Sequence, residues 1–195
     1  MKESQAVLHQ YATDMLGVEK HFAEVLDWQV SDTRLKDYEV ALALVRKVRE
    51  TLRRHIDLLE RYVGAQGGDS TSMLKQAVTK ISGMTTGFYN LMRQEDSVMR
   101  NMRDNYTALS MTAISYTMLH TTALVHRDVE LADMAIRHLK EVTPLVVEAS
   151  RIIPQLVASE LQAQDKALVT LDAEVVRRAI DNTQEAWRHE IVGRP

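Results

Sequence analysis

The sequence contains no cysteine, which excludes disulfides, thiolate metal sites and cysteine nucleophiles and suits a reducing compartment. Proline (3 residues) and glycine (7) are scarce, and aromatic residues make up only 5% of the 195. Sheets and their turns draw on these residue types, so helices are favoured. Neither sign of charge dominates: 24 Lys and Arg against 27 Asp and Glu leave a formal charge of −3, which argues against a nucleic-acid surface. No apolar run reaches membrane-spanning length, and the opening Met1-Lys2-Glu3-Ser4-Gln5 is polar and leads into a helix. The expectation is a cytoplasmic protein with neither nucleic acid nor membrane as partner. A phosphate-binding glycine loop, a Gly-x-Ser-x-Gly elbow, a His-Glu-x-x-His pair and a dinucleotide fingerprint are also missing.

What is present is amphipathic helix. Hydrophobic residues reach 45%, enough for a core in one domain spanning 1–195. Leu8, Tyr11, Met15, Val18, Phe22 and Val25 alternate steps of three and four, the period of one helix face. A first helix is therefore expected over about 4–29, with Ser4 as its cap. The short connection Val30–Thr33 predicts an antiparallel second helix over about 35–63, stopped by Gly64. Its stripe runs Ala41, Leu44, Val45, Val48, Leu52, His55, Ile56, Leu59, Tyr62. After the loop 65–72, an additional short helix is expected over about 72–82 and a joint at Gly83–Gly87. A third long helix follows, ending near His126, with its stripe on Met92, Met99, Met102, Tyr106, Leu109, Ala113, Tyr116 and His120. A fourth starts near Val129 and meets Pro144 and Pro154, each of which removes a backbone hydrogen bond; it should be kinked or split there. Asp172 caps a C-terminal amphipathic helix over about 172–191, outside a core of about 4–165. The fold class is all-α, a four-helix bundle with additions.

Helical bundles build metal centres from one glutamate on each of two helices and a Glu-x-x-His pair on each of the other two. Glu19 lies about 40° around its helix from Met15, so it either points inward or flanks the stripe as a surface charge. His55 sits on the apolar stripe, but Leu52, not glutamate, precedes it by three; Glu50 falls on the solvent side with Arg46, Lys47, Arg53, Arg54, Asp57 and Arg61. His120 and His138 also fall on stripes, so Glu19, His55, His120 and His138 would offer one ligand per helix. Depth opposes that set: a turn near Asp32 places Glu19 opposite residue 45, leaving His55 about 15 Å further along. A single histidine on an apolar face is more often a hydrogen-bonded core residue. Eight of the ten methionines lie between Met73 and Met134, and methionine packs irregular cores as well as docking grooves.

Asp14, Glu19-Lys20-His21 and Leu26 resemble the first helix of the YciE/YciF-type ferritin-like proteins. Glu50-Thr51 followed by Leu59-Glu60 is similar to the second helix of that family, Tyr116-x-x-Leu119 with Ala123 to its third, and Ala132, Leu139 and Glu141 to its fourth. The resemblance covers about residues 5–162. It implies a ferritin-like four-helix bundle, dimeric, associated with bacterial stress and with a di-metal site. Carried over, it makes Glu19, Glu50 and Glu141 metal ligands, with His55 joining them if the site is remodelled. The chain departs from the pattern at Leu109 and Thr112, where the third helix of the family has glutamates, and at Val142, the partner of Glu141.

Three readings follow. The first is a ferritin-like bundle with a degenerate site and no cofactor, acting as a homodimeric, stress-associated structural or interaction protein rather than an enzyme. The second is an iron or manganese protein or oxidase using Glu19, Glu50, His55 and Glu141. The third is a helical adaptor or signalling bundle that docks an unidentified protein partner on Met92, Met99 and Met102.

Overall fold

A computed structural model describes residues 2–65, 97–165 and 173–191 of the chain. Among them are five α-helices and one 3₁₀ turn, with no strand: α1 (Lys2–Ser31), the turn Thr33–Asp37, α2 (Glu39–Ala65), α3 (Val98–Val125), α4 (Val129–Gln164) and α5 (Ala173–Ile191). The expected short helix at 72–82, the Gly83–Gly87 joint, Met92 and the Asp172 cap lie outside the described residues. None of the described helices is long and apolar enough to cross a membrane.

Cross-helix pairs fix the directions of the four long helices. Lys20–Glu60 at 2.6 Å, with Asp27 held by Arg49 and Arg53, makes α1 and α2 antiparallel. Lys47–Glu148 and the 2.6 Å bond from the Tyr62 hydroxyl to Asp128 make α2 and α4 antiparallel. Gln29 and Asn105 exchange amide hydrogen bonds of 3.1 and 2.7 Å inside the core, setting α1 against α3. Neighbours are thus antiparallel throughout, while α2 and α3 run the same way, with Ala65 and Ser97 at opposite ends of the bundle.

The helix ends explain why the chain turns where it does. Asp32 caps the 3₁₀ turn by accepting from Arg34 N–H at 3.0 Å, and Leu35 anchors the turn in the core. After α3, Arg127 takes a left-handed conformation (φ 61°). Asp128 N–H then donates to Ala123 C=O and Arg127 N–H to Leu124 C=O, which closes the helix as a Schellman motif. Asp128 in turn accepts from Leu131 N–H and starts α4. At the far end Glu160 accepts from both the Ser97 hydroxyl and Met99 N–H at 2.7 Å, clamping the start of α3 to α4. Glu160→Ala leaves that helix start short of an acceptor and should cost about 1 kcal/mol, read as a shift in the urea midpoint at unchanged slope.

The helix carrying Pro144 and Pro154 is not split: α4 is one helix of 36 residues with both prolines inside. Pro144 and Lys140 are exposed, so the carbonyl that the proline cannot bond faces water. The core is continuous through the four long helices, and α5 packs against α4. Met102 is buried, which takes it out of an exposed docking groove, and Met99 is half-buried.

Candidate functional site

Each long helix sends one polar side chain to the same level of the core. Glu19, His55, Tyr116 and His138 come from α1, α2, α3 and α4, and none exceeds 1% exposure. Each occupies a position on its helix that apolar neighbours one turn away also occupy: Met15 and Phe22 beside Glu19, Leu52 and Leu59 beside His55, Thr112 and Leu119 beside Tyr116, Ala135 and Val142 beside His138.

His55 is the centre of the group. Its Nδ1 lies 3.0 Å from Glu19 Oε1 and its Nε2 lies 3.2 Å from Glu141 Oε2. A ring with a carboxylate oxygen at both nitrogens donates to both only as imidazolium; with one fewer proton on the ring, one of the two carboxyls must carry it for both contacts to remain hydrogen bonds. The 3.0 Å contact between two side chains of at most 1% exposure makes Glu19 and His55 one unit of the core. Glu141 is half-exposed and also accepts from Arg54 Nη2 at 3.1 Å, which connects the buried pair to the surface. The Tyr116 hydroxyl lies 2.9 Å from His138 Nδ1 and 3.5 Å from His55 Nδ1. The imidazoles of His55 and His138 stack face to face, centroids 3.7 Å apart and 4° from parallel, and the Tyr116 ring stands edge-on to both.

The electrostatics follow from burial. Glu19 is pushed up from the ordinary carboxylate value by desolvation, which its bonds to His55 and Tyr116 only partly offset. Tyr116 is raised well above its usual range, by burial first and then by the charge of Glu19. Burial, followed by the charge on His55, lowers His138 to about 3. Glu141 goes the other way: burial would raise it, but Arg54 and His55 together bring it below the usual value. Negative charge thus sits on Glu141 against the Arg54 guanidinium, and His138 is neutral.

The ligand set implied by the family resemblance is brought together only in part. Glu19, His55 and Glu141 meet, whereas Glu50 is 80% exposed and pairs with Arg54 at 3.7 Å on the outside of α2. The depth expected from sequence is corrected here: Glu19 and His55 are in direct contact. The five-residue 3₁₀ turn belongs to the connection, which moves the pairing midpoint from Asp32 to near Asp37. Of the four-residue set, Glu19, His55 and His138 converge, but His120 instead engages the Ala132 carbonyl at 2.9 Å. Leu109, Thr112 and Val142 are all buried, and the Thr112 hydroxyl is spent on the Ala108 carbonyl.

These residues do not fit a di-metal centre. A metal–imidazole bond lies in the plane of the ring, and two parallel rings 3.7 Å apart share no point that both lone pairs reach. Both nitrogens of His55 already face carboxylates, and the residues three before His55 and His138 are Leu52 and Ala135, each 0% exposed. Those are the positions where di-metal bundles place the glutamates of their Glu-x-x-His pairs. Among the described residues no group of three or more His, Asp or Glu side chains is arranged to hold a metal ion. What the arrangement offers is a closed hydrogen-bonded network, with Glu19 Oε2 and His138 Nε2 as its buried atoms lacking a partner.

Tyr116 is the member that sequence reasoning assigned only to the apolar stripe. The signal was available: a tyrosine buried at mid-helix needs a hydroxyl partner, and His55 and His138 were the polar groups on facing stripes. Comparison of the chain with protein-family models, curated proteins and solved structures finds no match.

Proposed function

We propose that this protein is a ferritin-like bundle whose di-metal site has become a metal-free hydrogen-bonded core, and that it works as a homodimeric structural or interaction protein. The observation that carries the reading is the stacked His55–His138 pair, with Leu52 and Ala135 standing where the carboxylates of a metal centre would be. A parallel α2–α3 pair with antiparallel neighbours supports the family assignment, since ferritin-like bundles join their second and third helices by a long crossover. The resemblance of Glu19-Lys20-His21 and Glu141 to the YciE/YciF-type proteins supports it further and carries the association with bacterial stress. Buried polar networks tie their members to one packing of a core through the bonds they make. Here Glu19, His55, Tyr116 and His138 fix the register of all four helices at once.

The competing reading, an iron or manganese protein built on Glu19, His55 and Glu141, has one observation in its favour. Glu19 Oε2 and His138 Nε2 are buried without partners. Elemental analysis of protein purified without chelator, repeated after loading with iron(II) and manganese(II), separates the two. The expected result is no metal above background and no binding isotherm in titration calorimetry. Near-integer metal per chain, lost in Glu19→Ala while helicity is retained, would overturn the proposal.

A further inference from the structure

We infer that the outward face of α3 is a self-association surface, on which two copies of the chain pair antiparallel about a two-fold axis level with Tyr116. The inference names the interface of the homodimer proposed above and rests on the dimeric part of that reading.

α3 carries two seams. The inward one, Asn105, Leu109, Thr112, Tyr116, Leu119 and Ala123, is buried in the bundle. On the opposite side Thr107, Met111, Ile114, Met118, Thr121 and Val125 repeat the same alternation of four and three, the spacing of a helix that packs against another helix. That second seam is open: Ile114 is 58% exposed, Met118 52% and Val125 72%. From Asn105 to His126 the sequence has no Asp, Glu, Lys or Arg, whereas the water-facing side of a bundle helix is ordinarily charged. The hydroxyls on this face are also withdrawn from solvent-side bonding. Thr107, Thr117, Thr121 and Thr122 each donate to the carbonyl four residues back, at 2.9–3.1 Å. They present methyl groups outward, so these four hydroxyls keep their partners when the face is covered.

The pattern selects a second copy in antiparallel orientation. The seam is nearly palindromic about Tyr116: Ile114 would meet Met118 of the partner subunit, Met111 the partner's Thr121, and Thr107 the partner's Val125. Charge confined to the two ends agrees. Exposed Arg100 and Arg103 mark one end, and at the other exposed Glu130 and Asp133 of α4 outnumber exposed Arg127. An antiparallel pair sets basic end against acidic end, whereas a parallel pair sets like against like. A single helix face is smaller than the roughly 800 Å² per partner of a standard interface, so the dimer is expected to be a concentration-dependent one.

Sedimentation equilibrium over a wide range of chain concentration tests this on the full chain, with Ile114→Glu as the disrupting variant. The expected result is a reversible monomer–dimer equilibrium weakened about a hundredfold by Ile114→Glu, with the thermal midpoint of the dilute monomer unchanged. Because the chain has no cysteine, orientation can be read by oxidation. A mixture of Thr107→Cys and Val125→Cys chains should give the mixed disulfide, and Val125→Cys alone should not cross-link. Self-cross-linking of Val125→Cys would mean parallel pairing and overturn the model. A dimer indifferent to Ile114→Glu would overturn this interface alone. Monomer at every concentration would overturn the interface and the dimeric reading together. A monomer destabilised by Ile114→Glu would show that another part of its own chain covers the face, which also overturns the inference.

Discussion

Replacing His55 with leucine should lower the unfolding free energy at neutral pH by about 3–5 kcal/mol, and replacing Glu19 with leucine in the same chain should restore much of that loss. What each change leaves behind in the core decides the size of the loss. His55→Leu keeps an apolar side chain of similar size beside Leu52 and Leu59 but strands the carboxyl of Glu19, which is 0% exposed and bonded to the ring it has lost. Glu141 suffers little, since it is half-exposed and retains Arg54. The stranded carboxyl can only be tolerated protonated. Its value, already raised by burial, rises further once the ring charge is gone. The sign follows: a group whose folded pKa is raised contributes stability that is lost as pH rises through that value. His55→Leu should therefore regain stability as pH is lowered toward 4.5, the ordinary value of the carboxyl. In the double variant no buried charge remains, and Tyr116 and His138 keep their mutual bond. Urea unfolding of the four chains closes the cycle. Losses that simply add would mean that Glu19 and His55 do not act as a unit.

The layout of the helices was legible in the sequence because periodicity, capping residues and the scarcity of glycine and proline all point one way. Both ends of α1 and α2, the end of α3 and the start of α4 fall within a few residues of their expected positions for that reason. The site was legible as a set of residues but not as an arrangement. Glu19, His55 and His138 stand on their stripes in the one-dimensional pattern, yet which of them touch depends on the axial register between helices. That register turned on five residues, Thr33–Asp37, whose 3₁₀ geometry a periodicity of 3.6 does not report. The continuity of α4 through Pro144 had a similar cause. The cost of a proline depends on which side of the helix the freed carbonyl faces, and that is a property of the packed bundle. Glu50 was placed correctly on the outside by angle alone, against its assignment by family likeness.

Acid should unfold this protein chiefly through His138. In the folded chain burial and the charge on His55 hold its imidazole neutral down to about 3, from an ordinary 6.5. The unfolded chain takes up the proton at the ordinary value. Below it the unfolded state binds more protons, and stability falls as pH falls through the window from 6.5 to about 3. At about 1.4 kcal/mol per pH unit, the contribution at stake is about 5 kcal/mol. Glu19 pulls the other way, because its raised value makes the folded state the better proton acceptor as pH falls toward 4.5. The two effects oppose each other above 4.5, so net loss should concentrate below it. There Glu141, Asp27 and Asp32, all held below their usual values by arginine or histidine partners, are protonated too and add to the loss. His138→Gln removes the titrating ring while keeping a side chain that can bond to the Tyr116 hydroxyl. The gap in unfolding free energy between the natural chain and His138→Gln should narrow steadily from pH 6.5 downward, and by pH 3.5 the variant should be the more acid-resistant of the two. A gap that stays constant with pH would mean that His138 is protonated in the folded core. The neutral state of His138 beside His55 would then have to be abandoned.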